Sequence, residues 1–349
     1  MRHMARLGIL AAAVVLGLLG SAASQGKGRI TVVSWGGAFQ KAQEEAFLVP
    51  YAKETGIEVV QDSWNGELAK LKAMVDTKNV TWDVIDADYE HAITGCAEGF
   101  LEPIDATMFG DPKDFLPGAL HKCGVSVDIS SLIFGYDRDK LKDGPKTIAD
   151  VFDTTKWPGR RGFRKSPKQL FEHVLMADGV PPEKVYEVLG SPGGIDRVLK
   201  KLDTIKKDIV WWSTNAQAPQ LLADGEVVIT EIFNGRLYDA AKKDRKNFVP
   251  IWDGQVYLYD TWIVPKGGNK EAAFRFLKYV MDPKVLARFS SIFPYPPSRP
   301  SALQYVSKEM LPNLPTAPAN FKRALNTNEE WWADHIQEVT ARFQNWLAK

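Results

Sequence analysis

The sequence predicts an α/β fold with a mainly parallel sheet, divided between two domains. Three observations carry this. Short β-rich runs alternate with helical patterns along nearly the whole chain. The alternation opens as strand, helix, strand, helix, strand, which is the pattern of parallel βαβ units. The 349 residues also exceed the ~100–200 that one domain usually holds.

The first residues read as an address. Arg2 and Arg6 form a short basic region, Leu7 to Leu19 is apolar, and Gly20-Ser21-Ala22-Ala23-Ser24 is small. That order matches a secretory signal peptide over residues 1–24, cleaved near Ala23 or Ser24. The plain alternative is an uncleaved N-terminal anchor. The apolar run is shorter than the ~20 residues needed to span a bilayer. No Cys stands at the junction, so a lipid anchor there is not expected.

Arg29 to Ser34 is the first strand, broken by Gly36-Gly37. A helix follows, with Phe39, Ala42, Ala46 and Phe47 at three- and four-residue spacing. Ile57 to Val60 and Trp82 to Ile85 are the next strands, separated by a helix through Leu68, Leu71, Met74 and Val75. In the middle, Leu132–Tyr136, Gly162–Arg164, Val227–Phe233 and Phe248–Trp252 read as strands. Thr147 with Asp150 three residues on starts a helix. Lys168–Ala177 and Ile195–Ile205 are helical. A strand at Val256–Val264, helices at Lys270–Met281 and Pro283–Ser290, a proline-rich crossing and a helix over Glu329–Leu347 complete the chain.

Charge is nearly balanced, with 44 basic and 43 acidic side chains. Nucleic-acid binders usually carry a basic excess, so none is expected as a partner. The two cysteines, Cys96 and Cys123, read as a disulfide in an exported chain, with two buried thiols as the alternative. Enzyme signatures are missing: there is no GxSxG, HExxH, GxxxxGK[ST] or GxGxxG. His91, His121, His173 and His335 have no metal-ligand spacing and read as surface or core residues.

Several residues nevertheless suggest a site. Asp86, Asp88 and Glu90 alternate after a strand and so share one side of it. Ligand sites in α/β sheets favour that end, and these acids suit an ammonium or a metal ion; a solvated loop is the bland reading. Trp35, Trp212, Tyr257, Tyr259 and Trp262 lie at strand ends or beside Gly, where aromatic faces attract alkyl-amine cations at ~0.5–2 kcal/mol per contact. Core packing is the alternative, and it is preferred for Trp331 and Trp332 on the terminal helix. Arg236 follows Asn234-Gly235, where a strand passes into a helix. Its guanidinium could clamp a carboxylate through two parallel hydrogen bonds or form an interlobe ion pair.

These features, taken in order, resemble the periplasmic substrate-binding proteins of ABC importers, in the spermidine/putrescine-binding branch. The resemblance rests on Ser34-Trp35, Lys53-Glu54-Thr55-Gly56-Ile57, Trp82-Asp83-Val84-Ile85 and Gly99-Phe100-Leu101-Glu102-Pro103-Ile104. It continues through Gly225-Glu226-Val227, Phe233-Asn234-Gly235, Asp260-Thr261-Trp262-Ile263-Val264-Pro265 and Tyr295-Pro296-Pro297-Ser298. It implies a type II-like fold of two discontinuous lobes joined by a hinge and closing on the ligand. Lobe 1 is expected over 25–133 and 261–309, and lobe 2 over 134–260 and 310–349.

The resemblance also implies a site. Trp35 and Phe39 form an aromatic wall, Asp88 is a first-lobe polar contact, Phe233 stands for the family's tryptophan, Asp260 grips an amino group and Tyr295 lines the cleft. With Trp212, Arg236 and Tyr257 these make up the expected ligand-binding set. One departure matters. Where the polyamine binders carry acids, this chain reads Arg164-Lys165-Ser166-Pro167-Lys168-Gln169, with Glu172 the carboxylate nearby. Holding several ammonium groups needs several acids, because desolvating each cation is costly. Asp260 with Arg236 suits one amine and one carboxylate.

The reading is therefore a periplasmic, monomeric binding component of an ABC importer, without catalytic residues or cofactor. It would deliver a polyamine, or an amino compound such as γ-aminobutyrate, to a membrane permease. Two other classes stay open: a ferric-binding importer component using Asp86, Asp88, Tyr257 and Tyr259, and an exported enzyme of unknown reaction.

Overall fold

The computed structural model describes residues 28–349, so the expected signal peptide lies outside the described residues. Ten strands occur in chain order: β1 Arg29–Ser34, β2 Glu58–Ser63, β3 Val84–Asp88, β4 Leu120–His121, β5 Gly124–Asp137, β6 Arg161–Arg164, β7 Ile209–Trp212, β8 Ile229–Phe233, β9 Phe248–Ile263 and β10 Leu325–Asn326. Their spatial order is β2-β1-β3-β9-β5-β8-β6-β7, with β10 beside β9 and β4 beside β5.

The sheet is mixed, where the sequence predicts mainly parallel pairing. β1 runs parallel to β2 and β3, and β6 runs parallel to β7 and β8. The centre is antiparallel, because β5 pairs with β9 in opposite directions and each has an antiparallel outer neighbour. The reason is topological. The chain leaves one half along β5 and returns along β9, so the two crossing strands must oppose each other.

Both strands are far longer than the sequence suggests. Leu132–Tyr136 is the end of a 14-residue strand, and the runs at 248–252 and 256–264 fuse into one of 16 residues. Asp253-Gly254 looks like a turn, yet Gly254 takes a left-handed φ of 72° inside the strand. A shift in the β5–β9 register between Leu132 and Phe134 accommodates that irregularity.

Each of the two long strands feeds two cores. β5 gives Val125, Val127 and Ile129 to the first core, and Phe134 and Tyr136 to the second. β9 gives Ile251 and Val256 to the second core, and Tyr259 and Trp262 to the first. We propose the lobe boundaries at these changes of core, near the sequence-based limits at 133/134 and 260/261. The terminal helix Glu329–Leu347 is capped by the Asn328 side chain and buries Trp332, Val339, Phe343 and Trp346 in the second core. It also packs along the helix Tyr89–Ala97 of the first half. No described helix is long and apolar enough to cross a membrane.

Cys96 and Cys123 are joined at 2.03 Å, 27 residues apart in sequence. The bond ties the helix Tyr89–Ala97 to the start of β5. A loop of that length corresponds to about 3–4 kcal/mol of lost chain entropy in the unfolded state. The double variant Cys96→Ser/Cys123→Ser should therefore melt several degrees lower with its far-ultraviolet spectrum unchanged. Equal melting of wild type with and without reductant would contradict this.

Candidate functional site

The site is built from strand ends. β1 ends at Ser34, and Gly36 and Gly37, with φ of 64° and 62°, turn the chain into a helix. Trp35 is thereby left at the sheet's edge. β3 ends on Asp88, β6 on Arg164 and β8 on Phe233. The helix Asn234–Lys243 then carries Arg236 in its first turn. These are C-terminal ends of parallel strands, where ligands gather in α/β sheets. Of the long strands, β5 contributes Ser130 from its middle and β9 contributes Asp260 from near its C-terminal end.

Together with Phe39, Asn215 and Tyr295, these residues line a cavity with about 320 Å³ free of protein atoms. The walls come from both halves of the protein, and contacts between the halves hold them together. Arg236, 4% exposed, donates from Nη2 to the carbonyls of Trp35 (3.3 Å) and Gly36 (3.2 Å). Burial holds its guanidinium below the ordinary arginine value, opposed by Tyr295 and Asp260. Arg164 donates to Gln169 at 3.4 Å and lies 5.9 Å from the centre of the Phe233 ring. Among the described residues neither guanidinium has a carboxylate within ion-pair distance, whereas Arg299 is paired to Asp114 at 2.7 Å.

Asp86 orients the aromatic wall. It is fully buried and accepts from the indole N–H of Trp35 (3.1 Å) and of Trp262 (3.0 Å), and from the Gln43 amide. Burial, with added repulsion from Asp88, outweighs the three donors and pushes its carboxyl up to about 7. Phe39 packs against Tyr295 with ring centres 5.6 Å apart.

Lys168 is the second contact between the halves. Its ammonium is buried and meets Glu90 at 2.7 Å, Glu329 at 2.8 Å and Asp88 at 3.4 Å. Burial raises Asp88, but Lys168, His91 and Arg164 outweigh it and hold that carboxyl below its ordinary value. Glu329 moves the other way. Burial and the carboxylates of Glu90 and Asp88 outweigh Lys168 and push it up to about 8.

Of the expected site residues, Trp35, Phe39, Asp88, Phe233, Arg236, Asp260 and Tyr295 meet in the cavity. Two do not. Trp212 is buried in a separate cluster with Ala218, Leu222 and Val227, because the pleat of β7 turns it away from the cleft. Tyr257 packs its ring on Phe321, 5.4 Å away, beside β10. Ser130, Arg164 and Asn215 line the cavity without having been expected. For Arg164 a signal existed, a cation at the end of a strand; Ser130 and Asn215 gave none. Glu172 lies in the second core, where it accepts from Trp332 and Tyr186.

Three of the four residues suggested for a ferric ion, Asp86, Asp88 and Tyr259, are otherwise engaged. Tyr259 donates to the Pro117 carbonyl at 2.9 Å, and Asp86 holds its three N–H donors. Asp88, Glu90 and His91 do bring ligand atoms within 4.8 Å of one another. The Lys168 ammonium already pairs with two of them.

Comparison with known proteins fits this architecture. A family model described as bacterial extracellular solute-binding protein matches residues 46–319. The chain belongs to that family. It is 40% identical to the gamma-aminobutyric acid-binding protein of Pseudomonas aeruginosa, over 96% of both chains. It is 24% identical to the putrescine-binding periplasmic protein PotF of Escherichia coli, over 75% of this chain and 77% of that one. Among solved structures, the Atu4243 GABA receptor superposes with a TM-score of 0.81 at 34% identity, covering 92% of this chain and 98% of that one. The two-lobed fold and the role of an ABC importer's solute-binding component follow from this membership.

The Lys168 cluster makes stability depend on pH. The folded-state value of Glu329 lies above its ordinary 4.5, so the stabilisation it contributes is full below that pH and is lost as pH rises through about 8. Thermal midpoints measured across this window should fall more steeply for wild type than for Glu329→Gln. Identical slopes would show that Glu329 is already ionised.

Proposed function

We propose that this protein captures a γ-aminobutyrate-like zwitterion, one ammonium and one carboxylate on a short alkyl chain, and passes it to the permease of an ABC importer. The observation that carries the reading is the cavity's charge layout. Arg164 and Arg236 bring two guanidinium groups with no carboxylate partner. Asp260 brings a carboxyl group whose Oδ2 has no hydrogen-bond partner. Asp88, the other acid of the lining, is already paired with Lys168.

A ligand carboxylate between the two arginines supplies the anion that the wall lacks, with geometry suited to bidentate pairing. Its ammonium reaches Asp260, and its methylene groups lie among Trp35, Phe39, Phe233 and Tyr295. A diamine is a poorer fit. Its second ammonium would be buried beside guanidinium groups, and like charges in a low dielectric repel strongly. The two relatives associated with γ-aminobutyrate by name are more similar to this chain than the putrescine-binding one. The role is binding rather than catalysis, in an exported protein facing the permease from outside the cytoplasm, as in its periplasmic relatives.

Ligand bound at ~1,000 times its dissociation constant adds about 4 kcal/mol to stability, a shift of several degrees. γ-Aminobutyrate should give such a shift, and putrescine at equal concentration should give little. Arg164→Met and Arg236→Met should each lose most of it. A shift with putrescine or spermidine and none with γ-aminobutyrate would overturn the reading.

A further inference from the structure

At the wall of the cavity, two buried carboxyl groups face each other across the β5–β9 pair, with the Ser130 hydroxyl beside Asp260. The β5–β9 register sets Asp128 opposite Asp260, and the β3–β9 register sets Asp88 opposite Asp260 on the other side. Asp128 is 1% exposed and Asp260 5%. Both oxygens of Asp128 and Oδ2 of Asp260 lack a hydrogen-bond partner among the described residues.

Ionised carboxylates only accept, so a hydrogen bond between these two side chains requires a proton on one of them. Two adjacent carboxylates out of water cannot both ionise cheaply. The groups facing the pair do not relieve this. Asp86 and Asp88 on β3 are themselves acidic, Tyr295 is neutral, and Arg236 is hydrogen-bonded to the carbonyls of Trp35 and Gly36. Lys168 is held by Asp88, Glu90 and Glu329. Burial first, then neighbouring carboxylates, raise both Asp128 and Asp260 well above the ordinary range.

Lobe opening leaves the pair intact. Its members sit on adjacent strands of one sheet, and the segment around Pro296 covers Asp128. Ile129 donates to the Pro296 carbonyl at 3.0 Å, and the Ser298 N–H donates to the Val127 carbonyl at 2.9 Å.

We infer that the Asp128–Asp260 pair holds one proton in the ligand-free protein and releases it to solvent when the ligand's ammonium group reaches Asp260. This rests on the ligand being an amine. The exchange balances: the pair loses one proton and becomes more negative by one charge, and the arriving ammonium supplies one positive charge. The buried site therefore never carries an uncompensated extra charge, which would be costly. Asp128 touches no part of the cavity, yet it makes capture depend on pH. The association constant should rise by up to about tenfold per pH unit while the free pair is protonated. The rise ends where the free pair gives up its proton without ligand, and affinity falls again where the amine itself deprotonates, near ~10.

The test is calorimetric titration of the full protein with γ-aminobutyrate near neutral pH, in two buffers of different ionisation heat, one of them phosphate. About one proton released per ligand bound is expected by linkage. Asp128→Asn should still bind but release almost none, because its amide supplies a donor to Asp260. The infrared difference spectrum of wild type, with γ-aminobutyrate minus without, should show a loss in the protonated-carboxyl region, over a background from Glu329 that is present in both states. This holds the test open even if the variant fails to fold. Binding heat that is the same in both buffers would overturn the exchange and leave the ligand reading intact. With no binding heat at all the ligand reading fails, and the exchange with it. A difference spectrum with no loss in the protonated-carboxyl region would overturn the proton-sharing pair directly.

Discussion

The antiparallel pairing of β5 with β9 is the constraint on which the rest of the molecule depends. These are the two longest strands, and each contributes side chains to both main hydrophobic cores. Bending them reorients one half against the other without breaking either core, which is what a hinge requires. The same pairing builds the polar end of the site. Its register aligns Asp88, Asp260 and Asp128 across three neighbouring strands. The proposed hinge and the proposed ammonium-binding end of the cavity thus lie on one structural element, the β5–β9 pair.

Buried charge is the second organising fact. Each buried ionic group in this region is either matched or made neutral. Lys168 answers to the carboxylates of Asp88 and Glu90 and to Glu329, whose carboxyl is raised enough to keep its proton near neutral pH. Asp86 has three N–H donors, and its role is to fix the Trp35 indole rather than to touch ligand. Arg236 and Arg164 depart from this pattern. They bring positive charge into the cleft with no carboxylate beside it, and such unmatched charge is tolerated where a ligand completes the set.

Much of this was legible in the sequence, for identifiable reasons. Residues fixed by a strand end or a glycine turn were readable: Trp35 before Gly36-Gly37, Asp88 after β3, and Phe233 and Arg236 around Asn234-Gly235. The terminal helix was readable because its apolar spacing holds over Glu329–Leu347. Facing was not readable. Trp211 and Trp212 sit side by side on β7, and only the pleat in the folded sheet decides that Trp211 meets Phe343 while Trp212 joins a different cluster. The long strands were hidden as well, since Ser130-Ser131 and Asp253-Gly254 interrupt the apolar pattern. Polar side chains there bond neighbouring strands and segments: Ser131 bonds Gln255 at 2.7 Å, and Asp253 pairs with Arg323 at 3.0 Å and accepts from the Ile148 N–H.

The closed arrangement also explains the two glycines after Trp35. Both adopt left-handed backbone, which other residues rarely do. At Gly37 a Cβ would stand 2.8 Å from Nη1 of Arg236, so the guanidinium would have to shift from its place against the carbonyls of Trp35 and Gly36. The turn thus leaves room for the cation that closes the cleft. In the closed form that cation is nearly out of water and holds only neutral carbonyls, a modest return for its desolvation. A carboxylate placed against it improves the closed form far more than the open one, where water already solvates the guanidinium. Preference for closure then follows from differential affinity for the two states, as any ligand-driven population shift requires.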